Sequence, residues 1–446
     1  MQLIYQILEV INYIIIGICT ISLLFQVVMI LFCWLPEKHF KKSEKLSKIA
    51  LIICARNEES VIGDTVKNIL EHQDYPKELY DIYVIADNCT DKTAEKARAA
   101  GAIVLEHQDD DPKHHKVAYP LDYGIDYLLK SEKKYDFLIR IDADNYLKAD
   151  FFQRMNDAFC SGVEIARPYE ASKNPTQNAW SVVSATYYMR DSFIASNFRE
   201  FFHLDSMLTG AGMMVSFRVL ESIHGWDSFS QSEDAEFTCN RLLEKKRVHY
   251  VCNAVVYEDQ PSTMKDTYSR ISRMGNGLNR VFWKKGFPLF GHFFVSGRWS
   301  NIDLFVQLLI IPVALLCCVW FPLYYIFYAI SHLVNIFGPE WLGSIYALDG
   351  TLLTAQASIN LLLHTLLPMI LVVLGSFLII YPLQTFVAVY RSKKKLGLTS
   401  LKGYYKGILL SPLFMLFYAV AITLGIVTDA GWKKVTRNSK EDKALK

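Results

Sequence analysis

Three groups of carboxylates occur in a set order in the middle of the chain. They are Asp87-Asn88-Cys89-Thr90-Asp91, Asp142-Ala143-Asp144 and Ser232-Glu233-Asp234, and the arginines Arg270 and Arg273 follow them. An Asp-x-Asp just past a buried strand suits a hard divalent cation that itself holds a diphosphate. An isolated carboxylate further along is available as a general base. A pair of arginines suits a fixed, bidentate grip on phosphate oxygens. Taken together, these residue types point to chemistry on a nucleotide-activated donor.

The elements that must position these groups read as alternating strand and helix. Ile49-Ala50-Leu51-Ile52-Ile53 is a continuous apolar run suited to a strand buried on both faces, and it ends at Ala55-Arg56-Asn57-Glu58. Ser60 reads as the cap of a helix carrying Val61, Val66, Ile69 and Leu70. Strands follow at 82–86, 102–105 and 137–141, with helices at 94–100 and 115–129, the second holding Pro120 in its first turns. Such alternation implies a mostly parallel sheet covered by helices. Ligands bind beyond the carboxyl ends of the strands in such sheets, where Asp87 and Asp142 stand.

Four uncharged runs flank this segment, at 10–36, 304–339 (His332 apart), 350–390 (His364 apart) and 407–428. Each exceeds the roughly 20 residues a helix needs to cross a bilayer. The first is too long for a signal-peptide core and has no basic residue before it, so it reads as a retained span. Lys38, Lys41, Lys42, Lys45 and Lys48 follow it, and Arg391, Lys393, Lys394 and Lys395 follow the third run. The loop at 338–349 has neither Lys nor Arg. The positive-inside rule then places the N-terminus outside, residues 38–303 in the cytoplasm and that loop outside. The fourth run has basic residues on both flanks and contains Pro412, which favours an interfacial or re-entrant form. A break near Pro368 or Pro382 is expected in the long third run. Division of the chain follows as a span at 1–37, a cytoplasmic domain at 38–283, an interfacial segment at 284–303, and a membrane region with two or three spans at 304–446. A multi-pass protein of the plasma membrane is the expectation. A formal net charge of +2 argues against nucleic acid as a partner. Nine scattered cysteines with no Cys-x-x-Cys favour free thiols, and no zinc site is readable.

Several stretches carry a family resemblance. They are Ala55-Arg56-Asn57-Glu58, Ala86 to Thr93, Lys116, Asp142-Ala143-Asp144, Gly210-Ala211-Gly212, Gly225-Trp226-Asp227, Ser232-Glu233-Asp234 and Trp432-Lys433-Lys434-Val435-Thr436-Arg437. In this order they resemble the membrane-bound family 2 glycosyltransferases, which include the processive cellulose, hyaluronan, chitin and poly-N-acetylglucosamine synthases. The resemblance implies a GT-A, Rossmann-like fold: a mixed, mostly parallel sheet with helices on both faces, inserted between transmembrane helices. It implies a UDP-sugar donor bound by Ala55, Asn57, Glu58, Asp87, Asn88, Lys116, Asp142, Arg270 and Arg273. A Mg2+ or Mn2+ ion would sit on Asp144 and Asp142. Asp234, with Glu233, would be the base of an inverting displacement, and Gly210, Gly212 and Trp226 would face the acceptor. Two departures stand out. The family's Gln-x-x-Arg-Trp is Arg270-Ile271-Ser272-Arg273-Met274 here, which removes an aromatic platform, and the Gly before the lysine is His115.

Plainer readings exist for each group. Asp87 and Asp91 also fit helix caps, Asp142 and Asp144 a turn, and Ser232-Glu233-Asp234 the start of a helix. Arg270 and Arg273 also fit a solvated helix face or lipid headgroups, and Phe282-Trp283 through Trp299 an interfacial anchor. Three function classes result. The leading one is a processive synthase that extends a β-linked polysaccharide from glucose- or N-acetylglucosamine-type donors and moves it across the membrane. The alternative is transfer of a single sugar to a lipid or lipid-linked acceptor. A transporter or receptor is third and leaves the carboxylate series without a purpose.

Overall fold

The structure is a computed structural model that describes residues 2–338 and 354–428. The tail motif at 432–437 and, apart from Gly338, the loop at 338–349 lie outside the described residues. After helix α1 (Gln2–Leu31) the chain builds β1 (Ile49–Ala55), α2 (Ile62–His72), β2 (Tyr80–Asp87), α3 (Thr93–Ala99), β3 (Ile103–His107), α4 (Ala118–Lys130) and β4 (Phe137–Asp142). These match the alternation read from the sequence. The start of α2 differs in detail: Val61 and Ile62 donate to the Glu58 carbonyl at 3.1 and 3.0 Å, so the turn begins before Ser60. Val61 takes the capping position.

Next come β5 (Tyr146–Leu147), α5 (Phe151–Cys160), β6 (Ile165–Ser172) and α6 (Ala179–Arg190). A π-helical turn, Asp191–Ser196, joins α6 to α7 (Asn197–Phe201). Then follow β7 (Met213–Ser216), α8 (Phe217–Ser222), α9 (Glu233–Leu243), β8 (His249–Glu258) and α10 (Met264–Val281). The strands form one eight-stranded sheet in the order β3-β2-β1-β4-β7-β6-β8-β5. β1 pairs in parallel with β2 and β4, while β7 runs antiparallel between β4 and β6. The sheet is therefore mixed and mostly parallel, as expected. Alternate residues of β1 explain its unbroken apolar run. Ile49, Leu51 and Ile53 pack with Val66, Ile69 and Phe151 on one face. Ala50 and Ile52 pack with Leu121, Ile125 and Phe237 on the other.

The C-terminal part is helical: α11 (Phe287–Ser296), α12 (Trp299–Phe337), α13 (Ala355–Leu361), α14 (Leu367–Lys395) and α15 (Tyr405–Val427). Among the described residues two helices are long and apolar enough to cross a membrane, Trp299–Phe337 and Lys402–Val427. The irregularity expected near Pro368 falls just before it, as a π-helical turn at Leu362–Leu366, and α14 continues through Pro382. A re-entrant break at Pro412 is not found, because α15 is one continuous helix. Proline removes one backbone hydrogen bond. Here the helix is held on both sides of it, at Gly407 against Thr186 of α6 and at Gly425 against Ser272 of α10.

Candidate active site

Parallel register decides where the carboxylates meet. Ala55 lies beside Ala86, and Cys54 beside Asp142, so β1, β2 and β4 end at one edge of the sheet. Asp87 is the last residue of β2 and Asp142 the last of β4, separated only by β1. With strands about 4.8 Å apart, the two backbones stand about 10 Å from one another. Two asparagines shape the turns there: Asn57 and Asn88 have φ of 55° and 45°, a left-handed conformation that asparagine tolerates better than most residues. Asn57 Oδ1 accepts the Thr90 N–H at 2.8 Å and ties the two turns together. Asp87 pairs with His107 Nδ1 at 2.8 Å and with Asn88 Nδ2 at 3.0 Å. Asp91, by contrast, accepts the Thr93 N–H at 3.0 Å and the Glu59 N–H at 3.2 Å, bracing the turn before α3, whose capping position is Lys92.

At the end of β4 an arginine binds the site together. Arg140 is only 3% exposed, and its Nη2 donates to Asp142 at 2.8 Å. Its Nη1 lies 3.6 Å from Glu233 at the start of α9. Asp142 at the end of β4 and Glu233 at the start of α9 thus share one buried cation. Room for it comes from Gly210, where a Cβ would collide with the guanidinium. Sequence reading passed over Arg140, although a lone arginine inside Phe137-Leu138-Ile139-Arg140-Ile141 is itself a signal. His107 lies two residues beyond the strand expected at 102–105, and β3 runs on to include it.

Burial and the neighbouring Asp234 push the Glu233 carboxyl up to about 7, against the pull of Arg140. Burial also raises Asp234, while the Ala235 N–H it accepts at 2.8 Å pulls it down. Gly277 of α10 lets that helix sit directly against Ser232, and Arg273 of the same helix lies within electrostatic reach of Asp142 and Glu233. Arg273 makes no ion pair or side-chain hydrogen bond among the described residues, yet Asp142 and Glu233 are close enough to stabilise its charge. Burial and Arg270 beside it hold its pKa below the usual arginine value. Asp144 is buried in the turn that follows β4, with Asn145 Nδ2 at 3.4 Å. Two hard carboxylate donors two residues apart suit Mg2+ or Mn2+.

Other expected site residues lie elsewhere or do other work. Trp226 is 4% exposed, stacked on Phe237 at 4.2 Å, and its indole N–H donates to the Ser228 carbonyl at 2.8 Å. The ring is core and closed to a sugar, so the expectation that Trp226 faces the acceptor is corrected. Gly210 and Gly212 are likewise packing positions: Gly212 has φ of 72° and faces Pro168 and Phe151. Arg270 is committed to Glu258 at 2.6 Å and lies over the Tyr188 ring. Lys116 donates to the Phe229 carbonyl at 3.2 Å and holds the loop before α9. Ala55 and Glu58 are buried at the end of β1, the latter with its backbone N–H on Thr93 Oγ1 at 2.8 Å.

Known proteins resemble this chain over the same region. Beta-monoglucosyldiacylglycerol synthase of Synechocystis sp. is 23% identical over 242 residues, 52% of this chain and 47% of that protein. Probable glycosyltransferase YdaM of Bacillus subtilis is 25% identical over 286 residues, 55% of this chain and 59% of that protein. The chain thus spans about half the length of the curated relatives it matches. Among solved structures, the mannosyltransferase PcManGT from Pyrobaculum calidifontis, in complex with GDP-Man and Mn2+, aligns with 95% of this chain and 99% of its own. Its TM-score of 0.55 at 14% identity shows a shared fold. Residues 47–277 match the family model described as Glycosyltransferase like family 2. A match over more than half of the 446 residues, across the segment that gathers the carboxylates, makes this chain a member of glycosyltransferase-like family 2.

Proposed function

We propose that the protein is an inverting glycosyltransferase that moves one hexose from a nucleoside diphosphate sugar to a lipid or lipid-linked acceptor at a membrane surface. The observation that carries this is the meeting of Asp142, Glu233 and Asp234 around Arg140, with Arg273 in electrostatic reach of Asp142 and Glu233, at the sheet edge that also ends in Asp87. Asp87 and the turn at Asn57–Glu58 would hold the nucleoside. Asp144, with Asp142 beside it, would hold a divalent cation, which offsets charge growing on the diphosphate as it leaves. Arg273 would meet the same charge from the α10 side. Asp234 would take the proton from the acceptor hydroxyl as its oxygen bonds to the anomeric carbon and the bond to the diphosphate breaks.

Lipid acceptors are favoured over polymer extension for two reasons. The matched cyanobacterial relatives are named for glucosyl transfer to diacylglycerol. The two aromatic positions a polymerase would use beside the acidic pair do not serve: position 274 is Met, and Trp226 is buried. The basic residues around α1 and α14, together with α12 and α15, support a membrane-bound enzyme with its sheet domain in the cytoplasm. The test is a panel of UDP- and GDP-sugars given to the purified full chain with Mg2+ or Mn2+ and mixed lipids, reading nucleotide release and product size. A lipid with one added sugar is the expected product. Chains of many sugars on one acceptor would return the case to a synthase, and no nucleotide release under any donor would end the enzymatic reading.

A further inference from the structure

Three side chains of metal-ligand type meet where the chain enters the sheet domain. Glu37 and His39 stand two residues apart in the segment between α1 and β1, and Cys252 lies on β8. Their ligand atoms all lie within 4.8 Å of one another. The Cys252 sulfur is 3.6 Å from His39 Nδ1, across a sequence separation of 213 residues. That separation is why the sequence shows no zinc spacing. Cys252 is only 1% exposed while His39 is exposed, so an ion arriving from solvent is held against a buried sulfur.

Hydrogen bonding accounts for only part of this arrangement. The thiol already has an acceptor in the Lys38 carbonyl at 3.2 Å. Its distance to the imidazole matches the edge of a tetrahedral zinc site, where bonds of about 2.3 Å to sulfur and about 2.0 Å to nitrogen put the two atoms about 3.5 Å apart. A carboxylate oxygen belongs at a similar distance from both, so Glu37 completes the set by a movement on the order of 1 Å. Lys395 pairs with Oε1 of Glu37, and the carboxylate has a second oxygen to offer. A separate observation points to the same face of β8. Tyr250 packs in one core with Cys252, and its hydroxyl is fully buried without a hydrogen-bond partner among the described residues. Burial holds its pKa well above the usual value, and Cys252 and Glu37 add to the rise, which places both within electrostatic reach. A buried donor of this kind needs an acceptor, and a metal-bound oxygen on that face is one. Thiolate and imidazole together suit zinc, whereas the oxygen donors Asp142 and Asp144 suit Mg2+ or Mn2+.

We propose that Glu37, His39 and Cys252 bind one zinc-type divalent cation, which fastens the segment after α1 to β8 of the sheet. On binding, the sulfur releases its proton to solvent and gives up its bond to the Lys38 carbonyl. The proposal stands apart from the lipid-acceptor reading above and is tested without sugar transfer. The measurement is a Co2+ titration of the reduced, chelator-treated, detergent-purified full chain, with excess Mg2+ present to fill sites made of oxygen alone. Wild type should develop thiolate-to-cobalt absorption in the near ultraviolet that saturates at one ion per chain and vanishes when one equivalent of Zn2+ is added. Cys252→Ser should abolish that absorption. His39→Ala, at an exposed position, should weaken Co2+ binding by at least tenfold at an unchanged metal-free melting temperature, since loss of even an outer partner costs about that much. Zn2+ should raise the melting temperature of wild type and leave that of His39→Ala nearly unmoved. Wild type without the absorption overturns the proposal. So does absorption that persists in Cys252→Ser, which puts the ion on another cysteine, or equal affinity in wild type and His39→Ala, which marks an adventitious ion only. Should Cys252→Ser fail to fold, His39→Ala and Glu37→Gln decide, the second being expected to weaken binding as well.

Discussion

Arg140 links groups that would otherwise repel one another. Asp142, Glu233 and Asp234 are all carboxylates, and the guanidinium between them offsets their mutual repulsion and ties the end of β4 to the start of α9. Arg140→Met should therefore lower kcat by at least tenfold, and Gly210→Ala should do much the same by displacing the guanidinium, both measured against nucleotide release. Asp144→Asn removes one hard ligand and should nearly abolish turnover and Mn2+ binding by calorimetry while the melting temperature stays within a few degrees. Asp234→Asn should keep nucleotide affinity and lose roughly 100-fold or more in transfer, the scale of a positioned general base. Equal loss of nucleotide affinity would move Asp234 to the donor side. The acidic pair also sets a pH dependence. Glu233 in the active site and Glu170 beside Arg167 are both pushed up to about 7 by burial. A carboxyl raised in the folded state holds a proton that the unfolded chain releases near 4.5. Folding stability contributed by these groups is thus present below about 4.5 and lost as pH rises towards 7. Glu233→Gln should flatten the fall of melting temperature with pH across that window.

At the scale of elements, α10 is the part that carries the site to the rest of the protein. It lies against Ser232 through Gly277 and against α15 through Gly275 and Gly425. A Cβ at Gly425 would strike the Ser272 backbone, which has no side-chain freedom to yield. Gly→Ala in an open helix interior gains about 1 kcal/mol from propensity, but overpacking costs about 1–3 kcal/mol. Gly425→Ala should therefore lower the melting temperature and raise KM for the donor by shifting Arg273. Gly291→Ala, with nothing within 4 Å of the new Cβ, is the control and should leave KM alone. The first half of the sheet was legible because β1, β2 and β4 are apolar runs that end in Asp or Asn turns. β6 was not, because Arg167, Pro168 and Glu170 are fully buried in it and break any apolar pattern. The carboxylates could be named from their order alone. What Arg270, Trp226 and Lys116 touch could not, since Glu258, Phe237 and Phe229 meet them only through the fold.

At the scale of the whole molecule, the sheet domain and the apolar helices form one packed body. Val387, Ala388 and Val389 of α14 and Ile408 of α15 share a core with Tyr169 and Val255 of the sheet. Ile422 of α15 shares another with Ile271 of α10. A membrane holding α12, α14 and α15 would then hold the active site at a fixed height above the lipid, which a lipid acceptor requires and a soluble one does not. The basic residues are the ground for the proposed side. Lysines 38 to 48 follow α1, and Arg391 to Lys395 end α14, while the loop between α12 and α13 has neither Lys nor Arg in its 338–349 segment. Single cysteines introduced as Ser43→Cys and Lys393→Cys should react with an impermeant maleimide only after the cytoplasmic face is opened, and Ser344→Cys should react in intact cells. Labelling of Ser43→Cys from outside would put the carboxylates on the side away from cytoplasmic nucleotide sugars and remove the donor on which the proposed reaction depends.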